Sequence, residues 1–155
     1  MAANSFLKNS VGQWTGESSL HLSWLEDESK RVQTGPSGMH IEVDAHQAFA
    51  TISYWWTYEG KRQEGLMVIA GGAKSKKVSI GWADSWHSNT DVMHFTGTYE
   101  DGRVEALGQY SVGDSPPWGW RIVLESKDGN LTMAMDNIPP GEEGIWAVKA
   151  TYHKA

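Results

Sequence analysis

The chain has 155 residues with 19 acidic and 13 basic side chains, a formal net charge of −6 and no cysteine. This length suits one domain with a sizeable core, and the lack of cysteine excludes disulfides, thiolate nucleophiles and thiolate metal sites. The acidic balance opposes contact with a phosphate backbone, so we predict no nucleic-acid partner. No apolar run is long enough for a membrane span, and the N-terminus lacks the pattern of a secretory signal. We therefore expect a single domain over residues 1–155 in the cytoplasm, and the sequence leaves homo-oligomerisation open.

Short segments in which apolar and polar residues alternate follow one another along the chain, and no long segment has the helical period. They predict strands at 11–25, 38–46, 48–59, 63–70, 76–84, 91–100, 103–112, 118–127, 130–137 and 144–153. Glu59-Gly60, Asp101-Gly102 and Asp128-Gly129 lie between segments and are typical of two-residue hairpin turns. Only the first ten residues leave room for a helix. The pattern predicts an all-β fold, an up-and-down antiparallel barrel of about 8–10 strands with an internal cavity.

The first strand begins with Gly12-Gln13-Trp14, a Gly-x-Trp motif that resembles the calycin group of lipocalins and fatty-acid-binding proteins. Further segments are similar, in the same order, to those of an uncharacterised family of bacterial lipocalin-like proteins: EGLMVIAGGAKSKKVSIGWADSWH, FTGTYEDGRVEALGQY, WGWRIVLESKDGNLTMAM and VKATYHK. The resemblance covers nearly the whole chain and implies a calycin-like barrel with an internal cavity. It implies no activity, because the family is largely of unknown function. We expect Trp14 to close one barrel end against Arg121 or Lys149 by a cation–π contact.

A related haem-binding branch, the nitrobindin-like barrels, ligates iron through a histidine near the C-terminal strand. The last segment here has one histidine, His153, two residues from the chain end. We expect a surface position for it, and we predict no cofactor.

The third predicted strand contains the run TISYWWTYEG. Strict alternation puts Ile52, Tyr54, Trp56 and Tyr58 on one face of that strand. We assign Tyr54 and Trp56 to the inside of the barrel.

The stretch GWADSWHSNTDVMHF crosses from a strand into a loop. Alternation directs Trp82 and Asp84 inward, with Asp84 at the strand end beneath the barrel mouth. A buried carboxylate must be paired or hydrogen-bonded, so Asp84 either pairs with an internal arginine, caps the following loop, orients a polar ligand or acts as a base. Trp86 and His87 begin the loop, where we expect an exposed rim position. Asp91 and His94 could complete a metal site with Asp84 and His87, but tight ligand spacing is lacking and we predict none.

Trp118 and Trp120 share a face in the run PPWGWRIVL, with Trp118 near the rim as a possible lid. The chain has nine tryptophans, more than a barrel floor requires, which indicates an aromatic-lined cavity. We predict a protein that binds a small apolar or aromatic molecule. Its cavity would be lined by Trp56, Trp82 and Trp120, with adaptable apolar lining from Met133 and Met135. Tyr54 and Asp84 would supply polar contacts, and Trp86, His87 and Trp118 would form a gate. The alternative is a small barrel enzyme, an isomerase, cyclase or hydratase, that uses Asp84 or His87 as general acid or base.

Overall fold

The computed structural model describes residues 5–72, 74–88 and 91–155. Within these ranges the chain forms a short helix α1 (Ser5–Asn9), a 3₁₀ turn (Glu28–Lys30) and ten strands. The strands are β1 (Gly12–His21), β2 (Val32–Val43), β3 (Phe49–Tyr58), β4 (Lys61–Gly71), β5 (Lys77–Asp84), β6 (Met93–Glu100), β7 (Arg103–Tyr110), β8 (Trp118–Lys127), β9 (Asn130–Ile138) and β10 (Ile145–Lys154). Neither described helix has the length and apolar character needed to cross a membrane.

The ten strands close into one antiparallel barrel in which each strand pairs with its neighbours in sequence. The pairing of β1 with β10 closes the barrel, with Trp14 opposite Lys154 and Leu20 opposite Val148. The all-β, up-and-down antiparallel barrel expected from the sequence is confirmed. Closure leaves no free sheet edge among these strands.

The three predicted hairpin turns have the positive φ angles that are expected for two-residue hairpin turns. Both residues of each turn have positive φ: Glu59 49° and Gly60 73°, Asp101 50° and Gly102 76°, Asp128 54° and Gly129 79°. Positive φ at both central residues is the mark of a type I′ turn, which matches the twist of the flanking strands.

The two ends of the barrel differ in their connections. One end, here the short-loop end, carries α1 and the connecting residues 44–48, 72 and 74–76, 101–102 and 128–129. The opposite end, here the long-loop end, carries the connecting residues 22–31, 59–60, 85–88 and 91–92, 111–117 and 139–144. Loops at the end of a rigid barrel are where binding residues are commonly found.

The predicted bounds of the first two strands were wrong. β1 ends at His21 rather than at residue 25, and β2 begins at Val32 rather than at residue 38. The segment 32–37 contains Pro36 and pairs with β1, while pairing with β3 starts only at Gly38. Because proline lacks an N–H, a strand tolerates it where one side of the ladder is unpaired.

Trp14 lies inside the short-loop end, as expected, but its predicted cationic partners were wrong. Its indole N–H donates to the carbonyl of Ser10 at 2.8 Å, and the Lys154 Nζ lies 4.7 Å from the ring centroid. Arg121 instead pairs with Asp136, and Lys149 lies over Trp146. The β1–β10 register places Lys154 directly opposite Trp14, which decides the contact.

Candidate functional site

Asp84, the last residue of β5, points into the barrel at the long-loop end with its side chain 1% exposed. One carboxylate oxygen, Oδ2, accepts hydrogen bonds from the Tyr54 hydroxyl at 2.6 Å and from the Trp56 indole N–H at 3.3 Å. The other, Oδ1, accepts from the backbone N–H groups of Trp86 at 2.8 Å and His87 at 2.9 Å. The buried carboxylate is therefore surrounded by donors.

These donors determine the charge of Asp84. Burial on its own would raise the pKa of the carboxyl group, but the His87 imidazole and the Tyr54 hydroxyl outweigh it and lower the pKa to about 2. Burial and the neighbouring Asp84 charge raise the pKa of Tyr54 well above its usual range, so Tyr54 is a neutral donor. The carboxylate is ionised at neutral pH and its hydroxyl partner is not.

His87 completes the polar cluster, and the expectation of an exposed rim side chain was wrong. Its side chain is 9% exposed, and its Nδ1 lies 3.2 Å from Asp84 Oδ1. An ionised carboxylate only accepts hydrogen bonds, so Nδ1 carries a proton, and in the neutral form of the ring Nε2 then has a lone pair. Nε2 is buried and has no hydrogen-bond partner within the described residues.

The turn that follows Asp84 explains why His87 lies inside. Besides the two N–H groups held by Oδ1, the Ser88 N–H donates to the Asp84 carbonyl at 3.0 Å. The Asp84 N–H donates to the Ser88 Oγ at 2.9 Å. These bonds fold the chain back over the barrel mouth. The loop-capping role considered for Asp84 from the sequence is confirmed, and no internal arginine is found among its described partners.

Four tryptophans surround the His87 ring and form what we call the tryptophan cage. The centroid distances from His87 are 5.5 Å to Trp56, 5.8 Å to Trp82, 4.8 Å to Trp86 and 5.5 Å to Trp120. Trp82 and Trp120 also stack on each other at 5.7 Å with an interplanar angle of 15°. The Trp82 indole N–H donates to the Tyr54 hydroxyl at 2.8 Å, whereas the buried Trp120 Nε1 has no partner among the described residues.

Gly65 on β4 makes room for Tyr54. A Cβ added at Gly65 would overlap the Tyr54 ring at Cζ and the hydroxyl oxygen. Tyr54 and Gly65 face each other in the β3–β4 register, which brings the ring against the glycine. The missing side chain therefore lets the Tyr54 hydroxyl reach Asp84.

A small internal cavity of about 10 Å³ adjoins the Asp84–His87 pair. This is room for about one water molecule. Its lining residues come from the polar cluster and from β1, β9 and β10: Ser18, Leu20, Tyr54, Trp56, Asp84, His87, Met133, Met135 and Val148. The predicted internal cavity is present, but the tryptophan and histidine side chains fill most of its space.

The structure brings most of the predicted site residues together. Trp56, Tyr54, Asp84 and His87 line the cavity, while Trp82, Trp86 and Trp120 surround His87 without lining it. Trp118 is half-buried and contacts Tyr110 at a centroid distance of 6.3 Å, at the edge of the cluster.

Three cavity-lining residues did not emerge from the sequence. Ser18 and Leu20 follow Trp14 at even spacing on β1, so extending the alternation along that strand would have found them. Val148 was harder to find, because the β9–β10 register shifts between Trp146 and Val148. Such a bulge breaks the period of two.

The metal quartet considered from the sequence is not brought together. Asp91 and His94 are exposed, whereas Asp84 and His87 lie inside the barrel. Among the described residues no group of three or more histidine or acidic side chains could hold a metal ion. His153 is exposed, as expected for a surface position.

A larger, open groove of about 800 Å³ lies across the outside of the barrel, where its lining includes Trp55, Arg62 and Leu66. The Arg62 guanidinium lies 5.0 Å from the centroid of the Trp55 ring. His40 also lines this groove; its side chain is 36% exposed and pairs through Nε2 with Glu42, while its buried Nδ1 has no partner among the described residues. Tyr54 and Asp84 contribute to the groove as well, but their hydrogen-bonded side chains lie in the buried cluster, and there we place the candidate site.

The sequence matches, over residues 2–154, a family model described as a protein of unknown function, DUF1579. The chain belongs to the DUF1579 family. No curated protein matches this DUF1579 chain. Its fold is similar to the crystal structure of Rv2717c from M. tuberculosis, with 12% sequence identity, 99% of each chain covered and a TM-score of 0.63. At this identity the similarity shows the fold alone.

Proposed function

We propose that the protein binds one small, largely apolar or aromatic molecule at the Asp84–His87 cluster. The observation that carries the proposal is His87 Nε2, a buried atom without a partner among the described residues, on a side chain that lines the internal cavity. A buried polar atom left unpaired costs about 1–3 kcal/mol. A ligand that donates a hydrogen bond to Nε2 removes this cost, and the ring is already oriented by Asp84.

The apolar part of the cavity lining, here the methionine wall, supports an apolar ligand body. It is formed by Leu20, Val148 and two methionines, Met133 and Met135. An aromatic ring needs far more room than the cavity offers, since a benzene site occupies about 150 Å³. Methionine has three rotatable bonds and repacks at low cost, so Met133 and Met135 are the side chains that we expect to move when the ligand enters.

A second candidate function is acid–base catalysis on the same site, in an isomerase, cyclase or hydratase. The observation that favours it is the arrangement of His87, whose Nδ1 is held by a carboxylate, whose Nε2 has no partner among the described residues, and whose side chain lines the cavity. This arrangement fits a general base that takes a proton from a bound substrate and returns it at another atom. Asp84 would hold the imidazole in the required tautomer.

Titration with 2-phenylethanol, read by tryptophan fluorescence and calorimetry, tests the binding proposal. Four indoles surround His87, so the fluorescence should change on binding. His87→Gln should weaken binding by about tenfold or more, the loss expected when one buried hydrogen bond goes. His153→Gln, at an exposed position, is the matched control and should bind like the wild type. Binding of equal strength in both variants would place the ligand elsewhere.

A further inference from the structure

Charge is distributed unequally between the two ends of the barrel. The long-loop connections carry eight acidic and two basic side chains, while those of the short-loop end, 44–48, 72–76, 101–102 and 128–129, carry three acidic and two basic ones. The excess of negative charge therefore lies around the mouth above the tryptophan cage.

Most of this rim charge is not neutralised by neighbours. The two basic rim residues, Lys30 and Arg31, pair with Asp27 and Glu28 at 3.8 and 3.7 Å. The other six acidic side chains are exposed and have no ion pair within the described residues: Glu26, Glu59, Asp91, Asp114, Glu142 and Glu143. A mouth with one sign of charge concentrates ligands of the opposite sign and speeds their approach.

The interior beneath this rim points to the same kind of ligand. The cavity contains the ionised carboxylate of Asp84, which receives only neutral donors and the His87 ring. The side chain of His87 is nine-tenths buried and its Nε2 has no partner among the described residues; in the neutral ring with Nδ1–H bound to Asp84, this Nε2 is an acceptor. The indole faces of the cage add the negative quadrupole to which cations bind. Acceptor, buried negative charge and aromatic faces all favour a positively charged donor.

Building on the proposed function, we infer that the ligand of the Asp84–His87 site is an organic cation, an aromatic or aliphatic amine whose ammonium N–H donates to His87 Nε2. Its apolar body would lie against the methionine wall. The acidic side chains of the rim would raise the local concentration of this cation, but they would not contact the cation once it is bound.

Three probes of similar size and different charge test this inference: 2-phenylethylamine, 2-phenylethanol and 3-phenylpropanoate. At low ionic strength we expect the amine to bind about tenfold more tightly than the alcohol, and the carboxylate to bind more weakly than both. The advantage of the amine over the alcohol should shrink at about 0.5 M salt, because screening acts on the exposed rim.

A rim variant separates charge from pocket shape. The triple change Asp114→Asn/Glu142→Gln/Glu143→Gln removes three exposed rim charges, and it should reduce the affinity for 2-phenylethylamine severalfold while leaving that for 2-phenylethanol unchanged. The matched control removes three exposed charges from the outer wall, away from the mouth: Glu17→Gln/Glu42→Gln/Glu105→Gln. It should change neither affinity.

The possible results separate this inference from the function on which it rests. If the alcohol binds and needs His87, but the amine binds no more tightly, the binding function stands and the cationic ligand is wrong. If the amine advantage is the same in the rim variant and in the outer-wall control, the role of the rim is wrong. If none of the three probes binds, both the inference and the proposed function fail.

Discussion

The two ends of this barrel both use aromatic side chains, but they treat buried polar atoms differently. At the short-loop end, the Trp14 indole donates to the Ser10 carbonyl and the Tyr152 hydroxyl is 2.8 Å from the Ser37 hydroxyl. At the long-loop end, His87 Nε2 and Trp120 Nε1 have no partner among the described residues. A third such atom, His40 Nδ1 on β2, belongs to a side chain that is 36% exposed. Since proteins pair nearly all their buried polar groups, the unpaired atoms inside the barrel set the long-loop end apart and support the ligand proposed there.

Charge separates the two ends in the same way. The buried tyrosine of the short-loop end, Tyr152, is neutral, because burial raises its pKa to about 12. The long-loop end keeps the ionised carboxylate of Asp84 inside the barrel. Keeping a charge in an apolar interior costs free energy, and here the charge also fixes the turn that carries Trp86 and His87. Asp84 can therefore cap the loop that follows it and also supply the buried charge of the proposed ligand site.

The largest expected effect is that of Trp82→Ala at the long-loop end. Trp82 is fully buried, stacks on Trp120 and donates to Tyr54. Its removal leaves a large cavity, so we expect the free energy of unfolding to fall by about 3–5 kcal/mol in chemical denaturation. Trp24→Ala is the control, because Trp24 is 67% exposed and should change stability little. Equal effects in the two variants would contradict the packing described for the cage.

The pH dependence of stability tests the buried charge. The pKa of Asp84 is lowered to about 2 in the folded protein, against about 3.9 in an unfolded chain. The contribution of this carboxylate to the free energy of unfolding is therefore fully present above pH ~4 and is lost as the pH falls through ~2. The lowered pKa corresponds to about 2–3 kcal/mol. Asp84→Asn should lower stability by about that amount at neutral pH and flatten the acid limb of the profile. Glu17→Gln, on the outer wall, should keep the wild-type profile.

The barrel could be predicted from the sequence because the patterns that indicate its strands and turns are local. The alternation that predicts a strand and the Asp-Gly or Glu-Gly pair that predicts a turn each involve only a few neighbouring residues. The inward direction of Trp82 and Asp84 follows from the period of two along a strand. The calycin relationship implied by Gly12-Gln13-Trp14 stays a prediction. The ligand roles of the tryptophans also stay predictions.

The errors concern contacts that the alternation along a single strand does not specify. The cation over Trp14 depends on the β1–β10 register, which local patterns do not specify. The burial of His87 depends on hydrogen bonds that turn the loop inward, and a loop histidine with polar neighbours gives no sign of them. The small size of the cavity follows from how the tryptophans pack together, which composition does not show.

Gly65→Ala tests whether the Tyr54–Asp84 contact requires an empty position on β4. The added methyl group would overlap the Tyr54 ring, so Tyr54 must shift away from Asp84. We expect thermal denaturation to show a loss of about 1–3 kcal/mol, the usual cost of overpacking. Gly81→Ala is a matched control on β5, because a Cβ there meets nothing within 4 Å. A similar loss in both variants would show a general cost of replacing strand glycines.

The smallest expected effect is that of His87→Ala, and it bears most directly on the contrast between the two ends. Removing the buried ring loses packing against four indoles, but it also removes the unpaired Nε2, so we expect a net loss of only about 1–2 kcal/mol. The cavity left behind has the shape of an imidazole, with the Asp84 carboxylate as acceptor at one side. Added imidazole should therefore raise the melting temperature of His87→Ala and change its tryptophan fluorescence, while wild type and His153→Ala should not respond. If His87→Ala has the stability of the wild type and does not respond to imidazole, the His87 ring is not held inside the tryptophan cage. The contrast drawn between the two ends of the barrel would then be wrong.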